Sequence, residues 1–312
     1  MTSLRLYTNS IFRKHDTGVG HPEQPSRMDA ALEGVARAGL TGSVIDNAAV
    51  HADTDRIIAK VHSPQYEREL EHASRAGMRL FHSIDNPISS QTFAAARTAV
   101  GTALSAAEAM MHDASPAFVI ARPPGHHADR VAAMGFCFFN TVACVAEWLR
   151  ERPGIERVFI FDFDVHHGNG TQSLFEERDD VFYASTHRFP FYPGTGAAEE
   201  IGKGAGRGFT RNIPLAAGSG DSAILRAVED IIVRVMDDYR PDALLLSSGF
   251  DAHRRDPLGG MKVSEQAYGE LTRRMLETAS RHSGGRVLSL LEGGYDPEGL
   301  SASVAEHVLA LA

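Results

Sequence analysis

The sequence predicts an α/β fold: a single domain with a central, mostly parallel sheet, flanked by helices and carrying its chemistry on loops at one edge. Three observations predict it. Short apolar runs alternate with longer amphipathic ones, the pattern of repeated strand–helix–strand units. No internal repeat, low-complexity tract or linker divides the 312 residues, a length that one α/β domain often reaches. The run VFIFDFDVHHGNGTQ at 158–172 passes from an apolar strand directly into carboxylates and imidazoles. Open α/β sheets hold their ligands at such C-terminal strand ends.

In chain order the apolar runs predict strands at 4–8, 44–50, 117–121, 158–163, 181–185, 209–213, 243–247 and 287–291. Amphipathic spacing predicts helices at 26–38, 64–75, 91–112, 141–151, 221–239, 264–281 and 297–311. The periodicity is strongest in 221–239. There Ile224, Leu225, Val228, Ile231, Ile232, Val235, Met236 and Tyr239 recur at three- and four-residue spacing, and Asp221 stands where an N-cap belongs. Gly168, Asn169 and Gly170 read as a turn. The stretch 187–208 is long, irregular and rich in glycine, and loops of that length inside a domain are usually functional or mobile.

Composition excludes several classes. The apolar fraction of 43% and charged fraction of 23% are ordinary for a globular protein. No apolar run is long enough to span a bilayer, and the first residues have no signal-peptide core, so the cytoplasm is the expected compartment and no membrane partner is expected. Cys137 and Cys144 make neither a disulfide framework nor a zinc-binding Cys-x-x-Cys pair. A formal net charge of −9 argues against nucleic acid and favours the approach of cationic substrates such as lysine-bearing peptides or polyamines. The sequence leaves a homo-oligomer open.

The chemistry starts from strand geometry. In an extended chain Asp162, Asp164 and His166 share one face and Phe161, Phe163 and Val165 the other. Two carboxylates and an imidazole at a buried strand end desolvate and repel badly unless a cation joins them. A metal site is the expectation. Four further segments carry what a metal hydrolase still needs: RPPGHHA at 122–128, GFCFFN at 135–140, SGFDAHRRDPLG at 248–259 and LEGGY at 291–295.

With HPEQPSR at 21–27, these motifs make the chain resemble the histone deacetylase superfamily of metal-dependent deacetylases, from His21 to Tyr295. Asn169 and the pair Ala252-His253 make it most similar to the class II branch. That branch includes bacterial histone deacetylase-like amidohydrolases and acetylpolyamine amidohydrolases. The resemblance implies an arginase-like fold with an eight-stranded sheet, and one catalytic domain over residues 1–312. It implies Asp164, His166 and Asp251 as ligands of one Zn2+, although a set of two carboxylates and one imidazole also suits Fe2+. It pairs His126 with Asp162 and His127 with Asn169. A carboxylate raises an imidazole and an amide only orients it, so His127 is the expected general base and His126 the expected charged neighbour.

Tyr295, freed to move by Gly293 and Gly294, is expected to donate to the oxyanion, where class IIa relatives carry a His. The implied reaction is attack of metal-activated water on the acetamide of an acetylated lysine or similar amine, giving acetate and free amine. No Ser, Cys or Lys sits in a nucleophile context. By the same resemblance Gly135, Phe136, Tyr192, Leu258 and Gly294 line the substrate tunnel, Asp85 grips substrate amides at its rim, and Arg27 borders an acetate exit channel. Leu258 stands where the polyamine-specific vertebrate relative has Glu, which points to acyl-lysine. Glu199, Glu200 or Asp85 would read an ammonium if acetylpolyamines were the substrate. A K+ site is implied at the carbonyls of Asp162, Asp164, His166 and Thr186 with the hydroxyl of Ser185. A second is implied around Phe175, Arg178, Val181 and Phe209.

Two rivals fit less well. An arginase or agmatinase of the same fold would need a bridged Mn2+ pair and more ligands than these motifs supply. An acyl-lysine-binding scaffold with little turnover would not need Tyr295, His126 and His127 together.

Overall fold

Eight of the apolar runs lie side by side in one sheet in which every pairing is parallel. In this computed structural model residues 4–312 are described; the first three residues of the expected N-terminus lie outside them. The sheet strands are β1 (Arg5–Thr8), β2 (Val44–Asp46), β5 (Ala117–Val119), β6 (Val158–Asp162), β7 (Val181–Arg188), β8 (Thr210–Leu215), β9 (Ala243–Ser248) and β10 (Val287–Leu291). A small antiparallel hairpin supplies β3 (Leu80–Phe81) and β4 (Ser83–Pro87). The order across the sheet is β2-β1-β5-β10-β9-β6-β7-β8. The chain therefore leaves β5, builds β6 to β8 outward, and returns to insert β9 and β10 at the centre. The C-terminal ends of β5, β10, β9 and β6 become neighbours, and their following loops share one edge, as parallel sheets require of their ligand sites.

Helices cover both faces. On one side lie α2 (Thr54–Val61), α3 (Pro64–Arg75), α4 (Thr92–Asp113), α5 (Thr141–Arg150) and α6 (Asn169–Phe175). On the other, α1 (Ser26–Arg37) and α9 (Glu265–His282) flank α10 (Pro297–Leu311), with α7 (Asp221–Ala227) and α8 (Val233–Tyr239) beside α9. Burial of both sheet faces explains why β6, β9 and β10 read as continuous apolar runs. The starts are chemically specified. Ser63 accepts from Tyr66 N at 3.1 Å ahead of Pro64, and Asp296 accepts from Gly299 N at 2.7 Å ahead of Pro297.

The structure corrects the sequence reading in places. The strand expected at 44–50 is only Val44–Asp46, a half-exposed edge. Helix α2 and the β3–β4 hairpin were not expected; both are short, and SIDNP in β4 is poor in strand-forming residues. The expected turn at 168–170 opens α6 instead. The 221–239 helix is interrupted by a π segment at Val228–Ile232, and Gly220, not Asp221, is its N-cap. The Asp221 carboxylate is taken by Ser264, from backbone N at 2.7 Å and Oγ at 2.8 Å, tying α7 to the start of α9.

Candidate active site

Asp164 follows β6 and Asp251 follows β9, and adjacency of those strands brings them together. His166 Nδ1 lies 3.1 Å from Asp164 Oδ1 and 3.1 Å from Asp251 Oδ2. The three ligand atoms all lie within 4.8 Å of one another. The second oxygen of each carboxylate is fixed by backbone: Gly293 N donates to Asp164 Oδ2 at 2.8 Å and Val165 N to Asp251 Oδ1 at 2.8 Å. Gly293 is glycine for space, since a Cβ there would sit 2.2 Å from Asp251 Oδ2. That is a different reason from the mobility expected of it.

The electrostatics fit a cation. Burial pushes the Asp251 carboxyl up and its neighbour Asp164 pushes it further. Burial also works against Asp164, but His126 and His166 outweigh it and hold that carboxyl below its usual range. His166 is buried too, yet the two carboxylates raise it to about 9. No Lys or Arg pairs with either carboxylate among the described residues. Two carboxylate oxygens and one imidazole nitrogen, gathered in a buried place with no Lys or Arg beside them, are a candidate donor set for a divalent metal.

The two histidines at 126 and 127 lie beyond β5 with ring centroids 4.0 Å apart. His126 Nδ1 is 3.0 Å from Asp162 Oδ2, an oxygen that also accepts from Tyr183 Oη at 3.2 Å. Burial lowers this imidazole, but Asp162 and Asp164 overcome it and raise it to about 10. His127 Nδ1 is 2.7 Å from Asn169 Oδ1. Burial, then His126 and His166, push it well below the ordinary 6.5. The two adjacent rings are thus shifted in opposite directions.

A cavity of about 200 Å³ leads to this cluster, lined by Asp85, His127, Gly135, Phe136, His166, Phe191, Tyr192, Leu258 and Tyr295. All but Gly294 of the expected tunnel residues are among them. Gly135 takes φ +53°, and a Cβ on it would lie 2.3 Å from His127 Cδ2. Tyr295 is buried in the loop between β10 and α10. Its backbone N donates to Asp256 Oδ2 at 2.7 Å, and its ring meets Phe136 edge-on at 5.8 Å. Arg27 Cζ stands 4.9 Å from that ring, with Nε donating to the Gly294 carbonyl and Nη2 to the Glu292 carbonyl, each at 2.6 Å.

Other expected residues fall elsewhere. Glu199 and Glu200 line a separate cavity of about 450 Å³ that also reaches Asn169. Glu200 is occupied there, accepting from Gly196 N and Ala197 N at 2.9 Å and from Gln172 Nε2 at 2.7 Å. Strand register places Ser185 beside Asp162, with Thr186 next along β7. Of the second, Phe175 and Arg178 line one surface cavity and Phe209 another, while Val181 opens β7.

Several neighbours escaped the sequence reading. Phe191 stacks on His166 at 5.3 Å and 15°, and the Arg188 guanidinium carbon lies 3.9 Å from the centre of the Phe191 ring. Asp256 accepts from Leu258 N and Gly259 N as well as Tyr295 N. Glu292 Oε2 accepts from Gly125 N at 2.6 Å, holding the histidine loop to β10. Glu23 joins Arg27 and Arg122 in a fully buried cluster. Glu292 and Glu23 lie inside motifs already singled out, whereas Phe191 carried only its place beside Tyr192.

Residues 21–311 match the family model of the histone deacetylase domain. A probable deacetylase of Archaeoglobus fulgidus is 36% identical over 92% of this chain and 80% of its own. The histone deacetylase-like amidohydrolase of Pseudomonas aeruginosa is 38% identical over 88% of this chain and 73% of its own. The crystal structure of the HDA15 HD domain superposes with a TM-score of 0.93 at 33% identity, covering 100% of this chain and 90% of that one. An all-parallel eight-stranded sheet of this order, the arrangement of its buried loops and the match along nearly the whole chain agree: this protein belongs to the histone deacetylase family.

Proposed function

We propose that this chain, as one catalytic domain over residues 1–312, is a metal-dependent deacetylase that hydrolyses acylated lysine side chains to free amine and acetate. The observation that carries the reading is the Asp164–His166–Asp251 donor set at the base of an aromatic-lined cavity that also holds His127 and Tyr295. Held by those three residues, a divalent cation such as Zn2+ would supply Lewis acidity toward an amide carbonyl and a water. The remaining work belongs to side chains. Phe136, Tyr192 and Leu258 would enclose the four-carbon stem and exclude water, and Asp85 would hold substrate amides at the rim. Neutral His127 would take the proton of the attacking water at Nε2, since Nδ1 is committed to Asn169. Tyr295 would donate its phenol proton as a hydrogen bond to the oxyanion, and charged His126 would stabilise the negative charge nearby. A histidine then returns a proton to the leaving amine. Water adds across the C–N bond and no covalent enzyme intermediate forms.

Of the three acidic residues considered as ammonium readers, only Asp85 lines the cavity, which favours acyl-lysine over acetylpolyamines. A bridged metal pair is less well supported. The other His/Cys/Glu grouping among the described residues, His126, Cys137 and Glu292, shares no residue with the first. K+ at Asp162, Asp164, His166, Ser185 and Thr186 would brace the end of β6. No helix among the described residues is long and apolar enough to cross a membrane, and both cysteines are unpaired, in keeping with a reducing compartment such as the cytoplasm.

The test compares kcat/KM on acetyl-lysine peptides, trifluoroacetyl-lysine peptides and acetylspermidine. Preference for the peptides is expected. A strong preference for acetylspermidine would make this an acetylpolyamine amidohydrolase with Asp85 as ammonium reader. Hydrolysis of none, with tight binding of an acyl-lysine peptide, would favour the scaffold reading.

A further inference from the structure

The Asn169 side chain presents opposite ends to two neighbours. Its Oδ1 lies 2.7 Å from His127 Nδ1, and its Nδ2 lies 3.6 Å from Met134 Sδ. A primary amide is nearly symmetric in shape, so turning it by 180° meets little steric resistance. Its chemistry is not symmetric. With Oδ1 inward, His127 carries its proton on Nδ1 and keeps a lone pair on Nε2. With Nδ2 inward, Nδ1 becomes the acceptor and Nε2 carries the proton, leaving the ring no site for another proton on that side.

Something must choose between the two. A carboxylate at 169 would accept in either orientation and need no choice. Met134 Sδ is the sole side-chain hydrogen-bond partner of Nδ2 among the described residues. A thioether accepts weakly and cannot donate, so it favours the NH2 end of the amide over the carbonyl end. The remaining side of Asn169 reaches a cavity of about 450 Å³, where water would serve either end equally. Met134 is itself well placed. Its backbone pairs with Cys137 in both directions, N to O at 3.3 Å and O from N at 2.9 Å, in the tight loop that also sets Gly135 and Phe136.

We propose that Met134 is a positioning residue for the reaction: its sulfur orients the Asn169 amide, and the amide in turn fixes His127 as the tautomer with Nε2 free. The catalytic half of this proposal rests on the reading of His127 as general base; the tautomer half does not.

The test is Met134→Leu, similar in volume but without an acceptor. In wild-type protein with 15N-labelled histidine, the His127 ring, assigned by difference from His127→Gln, should show one tautomer protonated at Nδ1. The variant should show a mixture, with kcat lowered about two- to fivefold, the scale of one weak hydrogen bond, and KM unchanged. In an Asn169→Asp background, measured at that variant's own pH optimum, Met134→Leu should have no effect. A single Nδ1-protonated tautomer in Met134→Leu would overturn the proposal. So would an equal kcat loss in the Asn169→Asp background, which would mean that Met134 acts by packing. Full activity of His127→Gln would instead defeat the base assignment while leaving the tautomer result to stand or fall separately.

Discussion

Asn169→Asp puts a carboxylate at the atom that faces His127 Nδ1 across 2.7 Å. The adjacent His126, beside Asp162 and Asp164, shows the direction of this change. His126 and His127 are adjacent and both buried, and burial lowers both imidazoles. The ring paired with Asp162 is nonetheless raised to about 10, whereas the ring paired with the amide stays well below 6.5. A contact carboxylate should therefore raise the His127 pKa by about 1 to 3, the range for an opposite charge at that distance. The sign follows from the role. A general base works when neutral, so activity is lost as pH falls through its pKa, and raising that pKa moves the acidic limb of kcat/KM to higher pH. On that limb, at a fixed pH, activity should fall about tenfold for each whole pH by which the limb moves. The assay is kcat/KM on an acetyl-lysine peptide from about pH 5 to about pH 9, with metal content checked at each pH because protonation of Asp164 or Asp251 would release the metal. An acidic limb that stays in place, or moves to lower pH, would refute His127 as the base.

Tyr295→Phe should lower kcat about 10²-fold or more, the scale of one oxyanion donor, with metal retained; an unchanged kcat would remove Tyr295 from the chemistry. Asp251→Ala should strip the metal, and elemental analysis that still finds one equivalent would contradict its place as a ligand. Glu23→Gln should destabilise the fold by about 3–5 kcal/mol, because it leaves the buried Arg122 and Arg27 without their carboxylate. Although burial opposes ionisation of Glu23, Arg122, His15 and Arg27 hold it well below the ordinary 4.5. Its stabilisation is therefore complete above 4.5 and is lost as pH falls toward the folded-state value. Denaturant midpoints measured on either side of that window should converge for wild type and variant at acid pH; parallel curves would show that Glu23 is not the titrating group.

What the sequence revealed depended on how local the signal was. Asp162, Asp164 and His166 lie two residues apart at a strand end, so extended geometry alone put them on one face. The pairing of His127 with Asn169 spans 42 residues and came only through a resemblance of motifs. Glu23 and Arg122 stand 99 residues apart, and nothing in either segment announces that one carboxylate neutralises two buried guanidinium groups. Phe191 against His166, and Met134 against Asn169, are likewise consequences of tertiary packing. The hairpin that carries Asp85 was invisible because Ser83–Pro87 is polar and short. The π segment in 221–239 preserves the three- and four-residue apolar spacing on either side, so periodicity cannot register it.

The most direct test of the account is metal dependence of acetyl-lysine hydrolysis by the wild-type protein. Removal of metal with a chelator should abolish turnover, and titration with Zn2+ should restore it, saturating at one equivalent per chain. Full activity in protein shown by elemental analysis to be metal-free would contradict the account at its centre, and saturation only at two equivalents would favour a bridged pair.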